Sequence, residues 1–185
     1  MAVVGLLAAL SILVVGYAYG RGDLAVYIPL IEHARDPGWL SRDWFVTRGP
    51  GVHAPYIWLM ARAGGSLPLP ATFFVIHLRA RVALIAGIVL LGRARPGSRE
   101  GAWLGAIAAV LSYSWNPGAN ELLYAVTIPH TLATVPAVFA LVLSARGRFT
   151  AAAAVAGLAT LFHVLIGLEV GLLVVSCAVW RKGRP

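Results

Sequence analysis

The chain has 185 residues, of which 59% are hydrophobic and only 12% are charged, and its mean hydropathy is +0.81. This composition excludes an ordinary soluble globular protein and favours a membrane protein built from several helices. The formal charge of +8 does not indicate a nucleic-acid partner, because most of the arginines flank apolar runs, where they orient membrane spans. The single cysteine, Cys177, lies inside an apolar run, so the chain has neither a disulfide framework nor a cysteine-based metal site.

The first apolar segment, residues 2–19, is interrupted only by Ser11. At about 1.5 Å per residue it can cross most of a bilayer core of about 30 Å. A cleaved signal peptide is the alternative interpretation. Its amino-terminal region would lack Lys and Arg, however, and the apolar run exceeds the roughly 7–15 residues of a signal-peptide core. We therefore favour an uncleaved first transmembrane helix.

Residues 20–65 form the only long stretch that is not a continuous apolar run. An amphipathic helix is predicted over residues 23–34, because apolar residues recur there at helical spacing: Leu24, Tyr27, Ile28 and Ile31. Pro37 and its neighbours should end this helix. Residues 54–63 predict a second interfacial helix, because aromatic side chains such as Trp58 prefer the headgroup level. The stretch is therefore expected to be an external cap pressed onto the bilayer.

Further apolar runs follow, and the basic residues between them fit the positive-inside rule. Arg93, Arg95 and Arg99 follow the second run and Arg146 and Arg148 follow the fourth, whereas the connection after the third run has no Lys or Arg. We expect the N-terminus and these clusters to lie in the cytoplasm. The sequence predicts an all-α fold: one polytopic transmembrane helical bundle with a long external first loop that carries interfacial amphipathic helices. The predicted spans cover residues 2–19, 70–92, 103–115, 128–144, 149–162 and 164–180.

The last run, residues 149–180, holds 32 residues without Lys, Arg, Pro or Asp. As one helix it would measure about 48 Å, which is too long for a straight span of a ~30 Å core. Basic residues at both ends favour the same side of the membrane for both. We therefore favour two short helices that turn near residues 161–167, with His163 near the outer face. A tilted single helix with an interfacial extension is the alternative.

The acidic residue nearest to the membrane boundary is Asp23, about four residues beyond the first span. It is a candidate for chemistry, and its alternative role is to cap the helix that follows, since Asp is a favoured N-cap residue. The other acids of the cap do not suggest a metal site, because Glu32 and His33 with Asp36 and Asp43 match no known ligand spacing.

Two arginines, Arg79 and Arg81, lie near the middle of the second apolar run, where a charge is costly unless it is paired, faces a cavity or snorkels. They are two residues apart and therefore point to nearly opposite faces, so at most one should face the bundle interior. Phosphate binding and pairing with an external acid are the two roles considered. If residues 70–80 were instead interfacial, residues 82–92 would be too short to cross the membrane.

Two histidines, His130 and His163, are predicted to lie at the outer ends of apolar runs. They are either packing residues or substrate-binding residues. Glu169 is expected to be a buried acid that pairs with an intramembrane histidine or arginine.

The order of these features resembles the C-type membrane glycosyltransferases, which use a polyprenyl-phosphate-linked sugar. The chain shares an apolar first helix, an acidic residue just outside it, a long external loop with interfacial helices, and short-looped spans. The resemblance extends to a group of bacterial multi-pass proteins through three runs: YGRGDLAVYIPLIEHARDPGWLSRDWFV, TIPHTLATVPAVFALVLSARGRF and GLATLFHVLIGL. It covers nearly the whole chain, which would correspond to the N-terminal half of such a protein.

The resemblance implies a catalytic base in the first external loop. By position this is Asp23, although many members carry an acidic doublet and here Leu24 follows; Glu32 and Asp43 are the other candidates. Substrate binding would fall to four cationic or titratable side chains: Arg79, Arg81, His130 and His163. No protein-bound metal or organic cofactor is predicted, although a divalent ion could neutralise the lipid phosphate.

The implied function is transfer of a sugar from a polyprenyl-phosphate carrier to an acceptor on the outer face of the cytoplasmic membrane. The partners would be the lipid bilayer and this donor. The alternative is a non-catalytic multi-pass protein, such as a transporter part or an assembly partner. In that case Arg79, His163 and Glu169 would form a structural polar network.

Overall fold

The computed structural model describes residues 2–49, 51–94, 99–111 and 122–183, and within these residues the regular structure is helical throughout. Residues 112–115 of the third predicted span, the connection 116–121 and Arg95 lie outside the described part. The helices are α1 (Ala2–Val15), α2 (Leu24–Arg35), α3 (Trp44–Thr47), α4 (Ala54–Ala63), α5 (Leu69–Gly92), α6 (Arg99–Leu111), α7 (Pro129–Ala145), α8 (Phe149–Phe162) and α9 (Val164–Lys182), with a 3₁₀ turn at Gly51–His53.

Two of the described helices, α5 and α9, are long and apolar enough to cross a membrane. Three others, α1, α7 and α8, are apolar but have only 10–17 residues. A helix of 14 residues, such as α1, measures about 21 Å, which is shorter than a ~30 Å hydrocarbon core. The all-α character of the described residues is established, whereas the number of membrane crossings stays a prediction.

The first helix ends at Val15, four residues before the predicted end of the first span. Gly16 follows with φ +86°, in the left-handed region where glycine commonly ends a helix. The chain then turns toward the segment before α7, and the Ala18 N–H donates to the Ala125 carbonyl at 2.7 Å. The end of α1 therefore pairs with a distant segment instead of continuing as a helix.

The helices of the bundle alternate in direction, and its two ends collect different residues. At the cap end, α2 and α4 bury Ile31 and Tyr56 against Phe73 in the first turns of α5. At the opposite end, the start of α1 packs on the last turns of α5. This second end, called the basic end below, holds the basic residues that follow α5 and α7 and those in the last turn of α9: Arg93, Arg146, Arg148, Arg181 and Lys182.

The last apolar run forms a helical hairpin, as predicted, and not a continuous helix. His163 separates α8 from α9 with extended backbone angles, φ −148° and ψ 107°. The two helices pack side by side through small residues, and a Cβ added at Gly167 would lie 2.5 Å from the Thr160 Cα atom. At the far end, Arg181 approaches Gly147, just before α8. The two helix axes therefore run antiparallel.

Candidate functional site beneath the cap

A buried pair of polar side chains lies on one face of α5. His77 and Arg81 are 0% and 1% exposed. The Arg81 Nε donates to the His77 Nε2 at 3.3 Å. Because an arginine nitrogen can only donate, the His77 Nε2 must be the accepting nitrogen of a neutral ring. The ring proton is then on Nδ1, which donates to the Thr127 Oγ1 at 3.0 Å.

Residues 122–128, which precede α7, are held by hydrogen bonds from three elements. From α5, the Arg81 Nη2 donates to the Tyr124 carbonyl. From α4, the buried Tyr56 hydroxyl donates to the Thr127 carbonyl at 2.5 Å. The third bond is the one from Ala18. Backbone carbonyls in an apolar environment must find donors, so these side chains satisfy an irregular segment that the bundle buries.

Histidine and tyrosine rings line the region between this segment and the cap. His53 precedes α4, His77 is on α5, His130 is on the first turn of α7, and His163 is the break between α8 and α9. These rings contact one another or a tyrosine with centroids 4.7–5.3 Å apart, in the pairs Tyr17–His77, Tyr27–His53, Tyr124–His130 and His130–His163. Parts of the chain that are far apart in sequence thus bring aromatic, titratable groups to the cap end.

Asp23 interacts electrostatically with this cluster. Burial lowers the pKa of His53, repulsion from His163 lowers it further, and Asp23 acts in the opposite direction. Burial also raises the pKa of Tyr27, and the Asp23 carboxylate adds to that effect. The Nδ1 atoms of His53 and His163 are buried without a hydrogen-bond partner among the described residues. His163 thus has His53 of the cap as its neighbour, at the end of the bundle where the turn of the hairpin was predicted.

The Asp23 carboxylate does not cap α2. Asp23 occupies the N-cap position, but its side chain makes no hydrogen bond to the first amides of the helix, and it is exposed. The capping interpretation is therefore wrong for this side chain. Asp43 behaves differently, because its Oδ1 accepts from the Phe45 and Val46 N–H groups at 2.9 and 3.0 Å. The Asp43 carboxylate caps α3, while Glu32 lies partly buried on α2.

The two arginines of α5 lie on opposite faces, which confirms that only one of them faces the interior. Arg81 is buried, and Arg79 is exposed. Arg81 belongs to the polar cluster, and its described contacts are with His77 and the Tyr124 carbonyl.

Glu169 is not buried, contrary to the sequence-based expectation. It lies exposed on α9, next to the exposed Leu168. The helix packs on α8 through Gly167, Val170 and Val174, and helical periodicity places residue 169 on the other side. No hydrogen bond or ion pair among the described residues joins Arg79, His163 and Glu169, so the structure does not bring this predicted network together.

Sequence reasoning missed His53, His77, Thr127 and Tyr56 as members of the cluster. A usable signal existed for His77, because it stands four residues before Arg81 and therefore on the same helical face. Thr127 had no such signal, since only the tertiary fold brings it to α5. In the part of the chain that the structure describes, no three His, Cys, Asp or Glu side chains form a group that could hold a metal ion.

Neither protein-family models, nor curated proteins, nor solved structures match this chain. The resemblance to C-type glycosyltransferases therefore rests on the sequence features of the cap and the spans. What the site can do follows from its own groups. It joins an exposed carboxylate, buried imidazoles and phenols at one end of an apolar helical bundle.

Proposed function

We propose that this protein is a multi-pass membrane protein, and that it acts as a glycosyltransferase or as part of one. It would move a sugar from a polyprenyl-phosphate carrier to an acceptor on the outer face of the cytoplasmic membrane. The observation that carries the proposal is the position of His53, which interacts electrostatically with both Asp23 and His163 at the cap end of the bundle. These residues come from three elements, and the two histidines carry a buried nitrogen without a partner in the described chain.

The distribution of charge supports a membrane setting with the cap outside. The basic end carries Arg93, Arg146, Arg148, Arg181 and Lys182, which fits a cytoplasmic location. The cap also carries arginines, but four acidic residues accompany them, and it exposes Trp39, Trp44 and Trp58 at 39%, 69% and 52%. Tryptophan is enriched where a protein meets lipid headgroups. An N-terminus inside and a cap outside would place the histidine cluster at the outer boundary.

In this proposal Asp23 is the general base. Its carboxylate is exposed and is not used by the helix that it precedes, so it can accept the proton of an acceptor hydroxyl. The acceptor oxygen then bonds to the anomeric carbon, while the bond from that carbon to the phosphate oxygen breaks. In this mechanism His130 and His163 contact the leaving phosphate. Arg81 has a different role, because it holds the segment before α7.

The alternative is a non-catalytic assembly partner, and the exposed Glu169 favours it. A carboxylate that faces lipid is costly, and α9 surrounds Glu169 with exposed apolar residues. Such a face could pack against a helix of another membrane protein that carries a hydrogen-bond donor at the depth of Glu169.

A transfer assay with the full-length protein in membranes distinguishes the transferase from the non-catalytic assembly partner. Transfer is measured from a labelled polyprenyl-phosphate sugar for Asp23→Asn and for the matched control Asp43→Asn. Asparagine still caps a helix, so the control removes the same charge without loss of structure. We expect Asp23→Asn to slow transfer about 10²–10⁴-fold, with the control fully active.

A fully active Asp23→Asn protein would remove Asp23 from the mechanism, and Glu32→Gln would then be tested as the remaining acid. No transfer by the unmodified complete protein, from any labelled polyprenyl-phosphate sugar offered, would favour the assembly role.

A further inference from the structure

The cap carries a groove of about 550 Å³ between α2, α3 and α4. It is separate from the histidine cluster, and none of Asp23, His53 and His163 lines it. Three cationic or titratable side chains do line it: Arg35, Arg62 and His33. Of the described residues, no Asp or Glu contributes to its wall. The groove is therefore a positively charged surface feature.

Arg35 is fixed in the wall by neutral acceptors. Its Nε donates to the Ala61 carbonyl at 3.3 Å, and its Nη2 donates to the Leu67 carbonyl at 3.0 Å and the Gly65 carbonyl at 3.5 Å. Carbonyl groups orient a guanidinium but do not cancel its charge. No described carboxylate forms an ion pair with Arg35, so its guanidinium keeps its charge available at the groove.

Arg62 supplies a second cation from α4. Its guanidinium lies over the Trp58 ring, 4.6 Å from the centroid, an arrangement that holds arginine without neutralising it. No described carboxylate pairs with this arginine. Guanidinium groups match the geometry of phosphate oxygens and bind them through two parallel N–H donors. Two such groups at one groove favour a phosphate over a simple halide or carboxylate.

The rest of the wall is apolar. Leu30, Val46, Ile57 and Trp58 line the groove beside the arginines, so the ligand should combine an anion with an apolar portion. The surrounding surface of the cap exposes Trp39 and Trp44 together with Arg42 and Arg48. Exposed aromatic and basic residues of this kind are typical of surfaces that meet anionic headgroups.

We propose that this groove binds a phosphate ester, with the phosphate at Arg35 and Arg62 and the apolar portion against Leu30 and Ile57. The ester is either the headgroup of an anionic phospholipid or a soluble molecule, and the exposed tryptophans favour the lipid. This site does not depend on glycosyl transfer at the histidine cluster. A protein without transferase activity would still bind the phosphate here.

The test uses the full chain, labelled with 5-fluorotryptophan, in nanodiscs of phosphatidylcholine. The ¹⁹F signal of Trp58 is identified by its loss in Trp58→Phe. One arm adds glycerol 3-phosphate, and the other replaces part of the lipid with phosphatidylglycerol. We expect the Trp58 signal to shift in a saturable manner in the lipid arm. A shift in the soluble arm also supports the site and identifies a soluble ester as its ligand.

Two variants make the test specific. Arg62→Gln should weaken the response at least fivefold. Arg48→Gln is the matched control, because Arg48 also lies over a tryptophan of the cap, 5.7 Å from the Trp44 centroid, but does not line the groove. Circular dichroism checks that both variants fold. The proposal is overturned if the Trp58 signal responds in neither arm. It is also overturned if Arg62→Gln gives the same response as the unmodified chain, or if Arg48→Gln weakens the response as much as Arg62→Gln does.

Discussion

Arg81 and His77 form a buried hydrogen-bonded pair one turn apart on α5, with the Arg81 Nε 3.3 Å from the His77 Nε2. The pair continues to Thr127 and to the Tyr124 carbonyl, so that α5 holds the segment before α7 in place. Because α7 starts at Pro129, this bond chain sets where α7 begins and where its first-turn residue His130 lies. The buried polar residues of α5 thus position His130 of the site by holding the segment before α7.

Because Arg81 and Arg79 lie on opposite faces of α5, replacing them should change the free energy of unfolding by different amounts. Replacing Arg81 by Met removes the hydrogen-bond donor to the neutral His77 ring and to the Tyr124 carbonyl, and the loss of a partner by a buried polar group costs about 1–3 kcal/mol. Arg79→Met changes an exposed side chain, and we expect less than about 0.5 kcal/mol. Reversible unfolding in mixed micelles measures both. Similar losses for the two variants would show that Arg81 does not hold the segment.

The α8–α9 hairpin depends on close contact at Gly167. A Cβ there would lie 2.0 Å from the Thr160 Oγ1 and 2.4 Å from the Thr160 backbone N, so Gly167→Ala must push the helices apart. We expect a loss of about 1–3 kcal/mol. Gly171 is the matched control on the same helix, since no atom lies within 4 Å of its added Cβ. Gly171→Ala should be neutral or slightly stabilising, and a neutral Gly167→Ala would contradict the close packing.

The stability of the cap should depend on pH through His53. Its pKa in the folded protein is lowered by burial and by His163, so between that value and about 6.5 the unfolded chain binds more protons than the folded one. Stability is therefore full above pH ~6.5 and falls as the pH drops through this window. Melting temperatures from pH 8 to pH 5 measure the slope. His53→Gln should reduce this slope, whereas His33→Gln should keep it. An unchanged slope in His53→Gln would exclude His53 as its origin.

The orientation in the membrane predicts which cysteines are accessible from outside. Cys177, which is exposed, is first replaced by Ser, and single cysteines are then placed at position 41 in the cap or at position 98 between α5 and α6. In sealed cells an impermeant maleimide should label Ser41→Cys and leave Ser98→Cys unlabelled until the cells are opened. Labelling of position 98 in sealed cells would reject the proposed topology.

Much of the secondary structure could be predicted because it depends on local features. Residues 54–63 were predicted to be helical and form α4, and the turn expected near residues 161–167 is His163. The hairpin could be predicted because the last apolar run is longer than one straight helix needs to cross a bilayer. The end of α1 was missed, because a glycine at φ +86° and a hydrogen bond to the distant Ala125 stop that helix inside an apolar run.

The sequence by itself determined the helical class, the alternation of apolar runs with basic clusters, and the rule that only one of Arg79 and Arg81 can face inward. These follow from composition and from helical periodicity. Only the tertiary structure decided that the inward residue is Arg81, that His77 meets Thr127, and that Glu169 is exposed. Each of these depends on which face of a helix packs against a segment many residues away. That choice comes from the fit of particular side chains, such as His77 against Thr127, which local sequence does not encode.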